Sequence, residues 1–263
     1  MLSFIMERVL KEREIMTGKT HLYIGMVTGV GVETLLNGMN VWSINGLTQL
    51  LVGGVLVGGL SALAPDLDSS GKLGRMVTES SQKARSFGVI MLTILAAVAF
   101  FTGFGHTTTL SVVAVLLLGS LFVRDDIQRK VTLGILGSAF IFFGLMNEET
   151  WLIAIGTFSL LCMIAKHRGL THTVWALGLW TYVCYHIGNQ FGLQNLTWIG
   201  FSGYLSHLLA DAMTKERVRC FYPIIKIPFG IPWIKTGSAS GAVYEFIVKT
   251  VYTIVILGLI VVR

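Results

Sequence analysis

Charge is scarce in this chain. Of its 263 residues, 13% are charged and 53% hydrophobic, and the mean hydropathy is +0.72. An ordinary soluble domain is about 25% charged, so this balance excludes a soluble globular protein. With only four prolines it excludes a disordered one too. Cysteine is almost as rare. Cys162, Cys184 and Cys220 lie far apart, no CxxC occurs, and an odd count offers no disulfide framework. No internal repeat and no low-complexity tract is present. A signal peptide is excluded by the charge of the first twenty residues, which include Glu7, Arg8, Lys11, Glu12, Arg13 and Glu14.

What is abundant is apolar sequence in long blocks, the pattern of a polytopic membrane protein. The blocks fall at 21–38, 47–64, 87–104, 110–123, 131–146, 150–165, 173–188, 196–213 and 242–262. They predict an all-α membrane bundle of about eight or nine helices, the shorter ones re-entrant or buried against neighbours. Residues 1–20 read as a cytoplasmic amphipathic segment with Leu2, Ile5, Val9 and Leu10 on one side. Residues 21–263 read as a single membrane domain.

Loop charge tests that layout independently. Eighteen of the 20 Lys and Arg residues fall in 1–20, 65–86, 124–130, 166–172 and 214–241, and none in the alternate loops 39–46, 105–109, 147–149 and 189–195. The positive-inside rule then puts the N-terminus and the first set of loops in the cytoplasm. The net charge of +6 is accounted for by membrane orientation, so no nucleic-acid partner is expected. The partner is the lipid bilayer. Segment 214–241, with Pro223, Pro228 and Pro232 among aromatics, reads as a structured interfacial loop.

Ionisable residues collect at one end of this layout. Asp66 and Asp68 follow the second block in APDLDSSGKLGR, where Pro65 stops the helix. His167 and His172 bracket KHRGLTH; Gly169 breaks the helix and Thr171 is placed to cap a new one. His207 and Asp211, four apart in GYLSHLLADAMT, share a helix face inside an apolar block, where an unpaired carboxylate costs a few kcal/mol. His21 opens the first block. Imidazole and carboxylate oxygen are ligands for a divalent metal: zinc first, manganese or iron as alternatives. The blander readings are an Asx-turn for the two aspartates and interfacial polarity for a lone histidine. His106 and His186, on the opposite side, take the bland role.

Lys72, Arg75, Arg168, Lys215 and Arg217 flank the cluster. Lys72, Arg75 and Arg168 are weak candidates for a substrate phosphate, which the positive-inside rule explains equally well. Glu245 and Lys249 read as a helix ion pair, and Glu33 as a polar contact within the bundle.

The ordered set KTHLYIG, APDLDSSGKLGR, HRGLTH, GYLSHLLADAMT, FYP and KTGS resembles the YdjM-like family, from about residue 19 to residue 245. These are inner-membrane proteins described as metal-dependent hydrolases, some of them LexA-regulated. The family's motif positions fall on His21, Asp66, Asp68, His167, His172, His207 and Asp211. The chain departs from the pattern at Ser69, where the family often has His, and at Arg217, where it tends to have Gly.

The expected function is therefore a membrane hydrolase whose metal site faces the cytoplasm. It would act on an ester or phosphoester of an amphiphilic substrate such as a phospholipid or a prenyl phosphate. One of Asp66, Asp68 or Asp211 would be the base, Asp66 and Asp68 being the catalytic candidates. The competing readings are an ion transporter, for which repeats and a midplane site are expected, and a scaffold stapled by a structural ion.

Overall fold

A computed structural model of the protein describes residues 2–37, 43–68, 74–86, 90–91, 125–166, 168–231 and 239–261. Among these residues every regular element is helical, with one isolated bridge between Val218 and Phe229. Apart from residues 90 and 91, the expected spans 87–104 and 110–123 lie outside the described residues.

Helix α1 runs from Leu2 to Asn37, so the boundary read at residue 20 falls inside one continuous helix. The next rod is a composite of α2 (Ile44–Thr48), a π-helical stretch Gln49–Val57, α3 (Gly58–Leu63) and a 3₁₀ turn Ala64–Asp68. Ser43 starts it by accepting the Gly46 N–H at 3.0 Å. A helix α4 covers 74–86. There follow α5 (Asp125–Met146), α6 (Thr150–Ile164), a 3₁₀ turn Leu170–His172, α7 (Val174–Phe191), α8 (Leu196–Ala212) and α9 (Ala239–Val261).

Among the described residues, Ile44–Asp68 and Asp126–Met146 are long and apolar enough to cross a membrane. Helix α6, at 15 residues, is about 22 Å long against a hydrocarbon core of about 30 Å. Helix α5 starts six residues before its expected apolar block. Hydropathy marks where lipid can begin, whereas Asp126 suits a first helical turn because a carboxylate complements the positive end of the helix dipole.

Backbone approach sets the geometry at the centre, where α1 packs on the composite rod, α8 and α9. A Cβ on Gly29 would lie 2.0 Å from the Gly54 carbonyl oxygen, and one on Gly203 2.7 Å from that of Gly58. Only glycine fits at both positions, and small residues at the seam are what lets helices pack closely in lipid.

Polar contacts form two belts along α1. At one end Glu33 is buried and accepts from Asn37 Nδ2 at 2.8 Å and Asn195 Nδ2 at 3.3 Å; Asn37 also donates to Gln49 Oε1 at 2.9 Å. Glu33 thus ties α1 to the start of α8, as a polar contact within the bundle. The other belt contains His21, twelve residues back and about 18 Å along the axis. Along the same helix Thr20 hydrogen-bonds Glu245, and Thr28 and Tyr23 meet Tyr252 and Thr253 at 2.7 and 2.8 Å, which fixes α9. Lys249 Nζ lies 4.0 Å from Glu245 Oε2, the expected helix pair.

Candidate metal centre

Helix α8 supplies the spine of the site. Gly203, Tyr204, His207 and Asp211 follow helical spacing down one buried face. Glycine lets the composite rod approach, and the three larger residues then point at what that approach brings in. His207 Nε2 and Asp211 Oδ2, one turn apart, are separated by 3.6 Å. Tyr204, fully buried, donates its hydroxyl to the Thr171 carbonyl and holds the segment before α7 against the spine.

The two aspartates of the composite rod part company because of local winding. A 3₁₀ turn advances about 120° per residue, so side chains two apart diverge by roughly 240°. Asp66 turns inward, with Oδ1 3.8 Å from both His172 Nε2 and His207 Nε2. Asp68 turns toward the segment before α7, where its Oδ2 accepts from Thr171 Oγ1 at 2.5 Å. Arg129, buried at the start of α5, donates from Nη2 to the Asp68 carbonyl at 3.1 Å and braces the turn.

Hydrogen-bond logic fixes both central imidazoles. His207 Nδ1 lies 2.7 Å from the Ala62 carbonyl, which can only accept, so Nδ1 carries the proton. Thr171 gives its single proton to Asp68, so its oxygen accepts from His172 Nδ1 at 3.0 Å. In the neutral rings both Nε2 atoms then present lone pairs. The two nitrogens stand 3.2 Å apart. Asp211 Oδ2 adds a carboxylate oxygen 3.3 Å from His172 Nε2, and Asp66 adds another. Four acceptors converge in a space shielded from water, with His172, His207 and Asp211 essentially inaccessible. Such a set is stabilised by positive charge at its centre.

His21 widens the cluster. Its ring stacks on His207 with centroids 4.0 Å apart, its Nε2 lies 3.4 Å from Asp211 Oδ1, and its Nδ1 is buried without a hydrogen-bond partner. Two groups of side chains are each compact enough to hold an ion: His21, His207 and Asp211, and Asp66, His172 and His207. The donor set fits a divalent metal of the zinc, manganese or iron type. His207 is common to both groups and offers one lone pair, so it can serve one ion at a time.

Arg168 lines the rim. Its Nη2 is 3.5 Å from Asp211 Oδ2, its Nε 3.2 Å from Glu216 Oε2, and Nη1 donates to Thr214 Oγ1 at 3.0 Å and the Arg217 carbonyl at 3.4 Å. Arg75 instead pairs with Glu79 at 3.5 Å on α4, while Lys215 is exposed. His167, Lys72, Ser69 and His106 lie outside the described residues. His186 packs between Tyr182 and Tyr185 on α7. The expected cap is corrected by two residues: Thr173, not Thr171, caps α7 by accepting the Ala176 N–H at 3.3 Å. Thr171 is instead the link between Asp68 and His172. That link, the Tyr204 brace and the Arg129 brace escaped the sequence reading; only the Tyr204–His207 spacing of three carried a signal.

Fold and site together define an all-helical membrane protein with a buried imidazole–carboxylate cluster at one end of its helices. The chain belongs to the YdjM inner membrane protein family, whose model matches residues 16–262. No curated protein and no solved structure matches it.

Proposed function

We propose that the protein is a polytopic metal-dependent hydrolase of the inner membrane. It has about eight or nine helical spans, a cytoplasmic N-terminus and a site at the cytoplasmic face. The observation that carries this reading is the pair of imidazole Nε2 atoms 3.2 Å apart, flanked by Asp66 and Asp211. A proton shared by the two rings would satisfy one pair of acceptors. A divalent cation satisfies all four, and zinc suits the mixed nitrogen–oxygen set best.

Asp66, His172, His207 and Asp211 would hold the ion, with His21 contributing at the Asp211 side. When bound, such an ion supplies Lewis-acid activation of water and of an ester oxygen. Thr171 and Asp68 keep His172 in the tautomer that offers Nε2, the role outer carboxylates play behind metal-binding histidines. Asp66, 13% exposed at its side chain against 4% for Asp211, is the more open carboxylate, and the oxygen it does not give to the ion is the better placed to take a proton. Arg168 sits where it can neutralise an anionic ester or phosphoester. A site at the membrane face suits an amphiphilic substrate, a phospholipid or prenyl phosphate among them.

Burial favours one other reading. A cluster this closed also suits an ion that only staples α1, the composite rod and α8 together. Purified protein assayed on phosphoesters and lipid esters, before and after chelation and metal return, separates the two. Turnover that disappears with chelator and returns with zinc supports the hydrolase. Chelation that lowers the unfolding temperature, in protein with no turnover at any metal concentration, supports the staple.

A further inference from the structure

The segment after α8 has an order that the metal site does not account for. Its base is fixed by backbone pairing. Val218 N–H and Phe229 N–H each donate to the other's carbonyl, at 3.1 and 2.6 Å, and Val174 N–H donates to the Cys220 carbonyl at 2.9 Å. Gly230, at φ 129°, presses so close to the end of α8 that a Cβ there would sit 2.0 Å from the Ala212 carbonyl oxygen. Within the loop, Tyr222 and Ile225 N–H groups close onto Arg219 and Phe221 carbonyls, both at 3.0 Å.

This fixed base presents an apolar tip. Ile224 and Ile227 are each 75% exposed and Phe229 66%, and Phe221, Ile225 and Ile231 are also open. On a helix flank, exposed apolar side chains face lipid. Here they stand on a loop whose base adjoins Asp211 in sequence and reaches α7 two residues past His172, at a helix end where water is the alternative environment. The hairpin is also cationic: Arg219 and Lys226 lie within it, Lys215 and Arg217 lead into its base, and the acid between these two, Glu216, is engaged by Arg168. Apolar side chains with cations beside them along the chain match a leaflet's anionic headgroups over acyl chain, the chemistry of segments that lie in the interface.

We propose that residues 218–231 form a membrane-inserted hairpin. Its isoleucine tip would sit about 5–10 Å into the headgroup–acyl boundary, in the leaflet on the metal-site side. The occupant of this apolar surface is lipid.

The test uses full-length protein in proteoliposomes containing phosphatidylglycerol. In a Cys220→Ser background, Ile224→Cys and Ile227→Cys each receive an environment-sensitive fluorophore. Both positions are so exposed that substitution leaves the packed core intact. The expected result is blue-shifted emission, strong quenching by nitroxide lipids labelled at a shallow acyl carbon, and little quenching by aqueous iodide. Water-like emission with efficient iodide quenching overturns the proposal. So does apolar emission that no lipid nitroxide quenches, which would mean a protein partner covers the tip. Neither metal nor turnover enters the readout, so it fails separately from the hydrolase reading.

Discussion

Replacing Thr171 with valine removes one oxygen and tests how the site would hold the proposed metal. Valine keeps the β-branched shape, so packing at this fully buried position is nearly unchanged. What disappears is the atom that accepts from His172 Nδ1 at 3.0 Å and donates to Asp68 Oδ2. Two buried polar groups each lose a partner, and an orphaned buried group costs about 1–3 kcal/mol. Part of that cost is relieved if His172 moves its proton to Nε2, but then its lone pair no longer faces the proposed ion. Loss of such an outer contact typically weakens metal binding about 10–100-fold. The assay is zinc competition against a calibrated chelator in detergent, with Thr171→Ser beside it. Serine restores the oxygen, so it should recover most of the affinity. Wild-type zinc affinity in Thr171→Val would refute the relay.

Other outcomes follow from the same geometry. Asp66→Asn should lose more zinc than Asp68→Asn, because Asp66 faces both ligand nitrogens directly while Asp68 acts through Thr171; equal losses by elemental analysis would contradict the division. Gly29→Ala should lower stability in detergent by about 1–3 kcal/mol, as overpacking does, since the new methyl meets the Gly54 carbonyl; an unchanged thermal midpoint would remove the glycine seam from the account. Arg168→Ala should raise KM for anionic esters while metal content holds, measured by steady-state kinetics; equal effects on neutral and anionic esters would argue against a substrate role. Cysteines introduced at 39–46 or 189–195 should be labelled from outside intact cells, while a cysteine at position 217 should not. Native Cys220, its thiol pushed up by partial burial, should react slowly even from the inside.

The parts of this site that were legible in the sequence are those set by short-range rules. Four-residue spacing alone puts His207 and Asp211 on one face, and charge alternation assigns both to the same end as Asp66 and His172. The division of labour between Asp66 and Asp68 was not legible. It depends on the rod tightening to 3₁₀ after Ala64, which rotates the two carboxylates apart. The relay through Thr171 joins residues 103 positions apart, and the tautomer of His207 is set by a backbone carbonyl 145 positions away. No local pattern encodes either. The start of α5 differs from its apolar block for a related reason: such blocks report lipid contact, while the helix extends back through Gln128, Arg129 and Lys130, which favour helix.

On the proposed reading, positive charge at the centre of the four acceptors comes from a metal ion and not from a proton. Elemental analysis of carefully purified wild-type protein, beside His207→Ala/Asp211→Ala, tests it most directly. Near-stoichiometric transition metal in the wild type, zinc foremost, and its loss from the double variant is the predicted result. Wild-type protein that is folded and metal-free, and stays so after zinc is offered, would show that a proton holds the cluster together and would contradict the account.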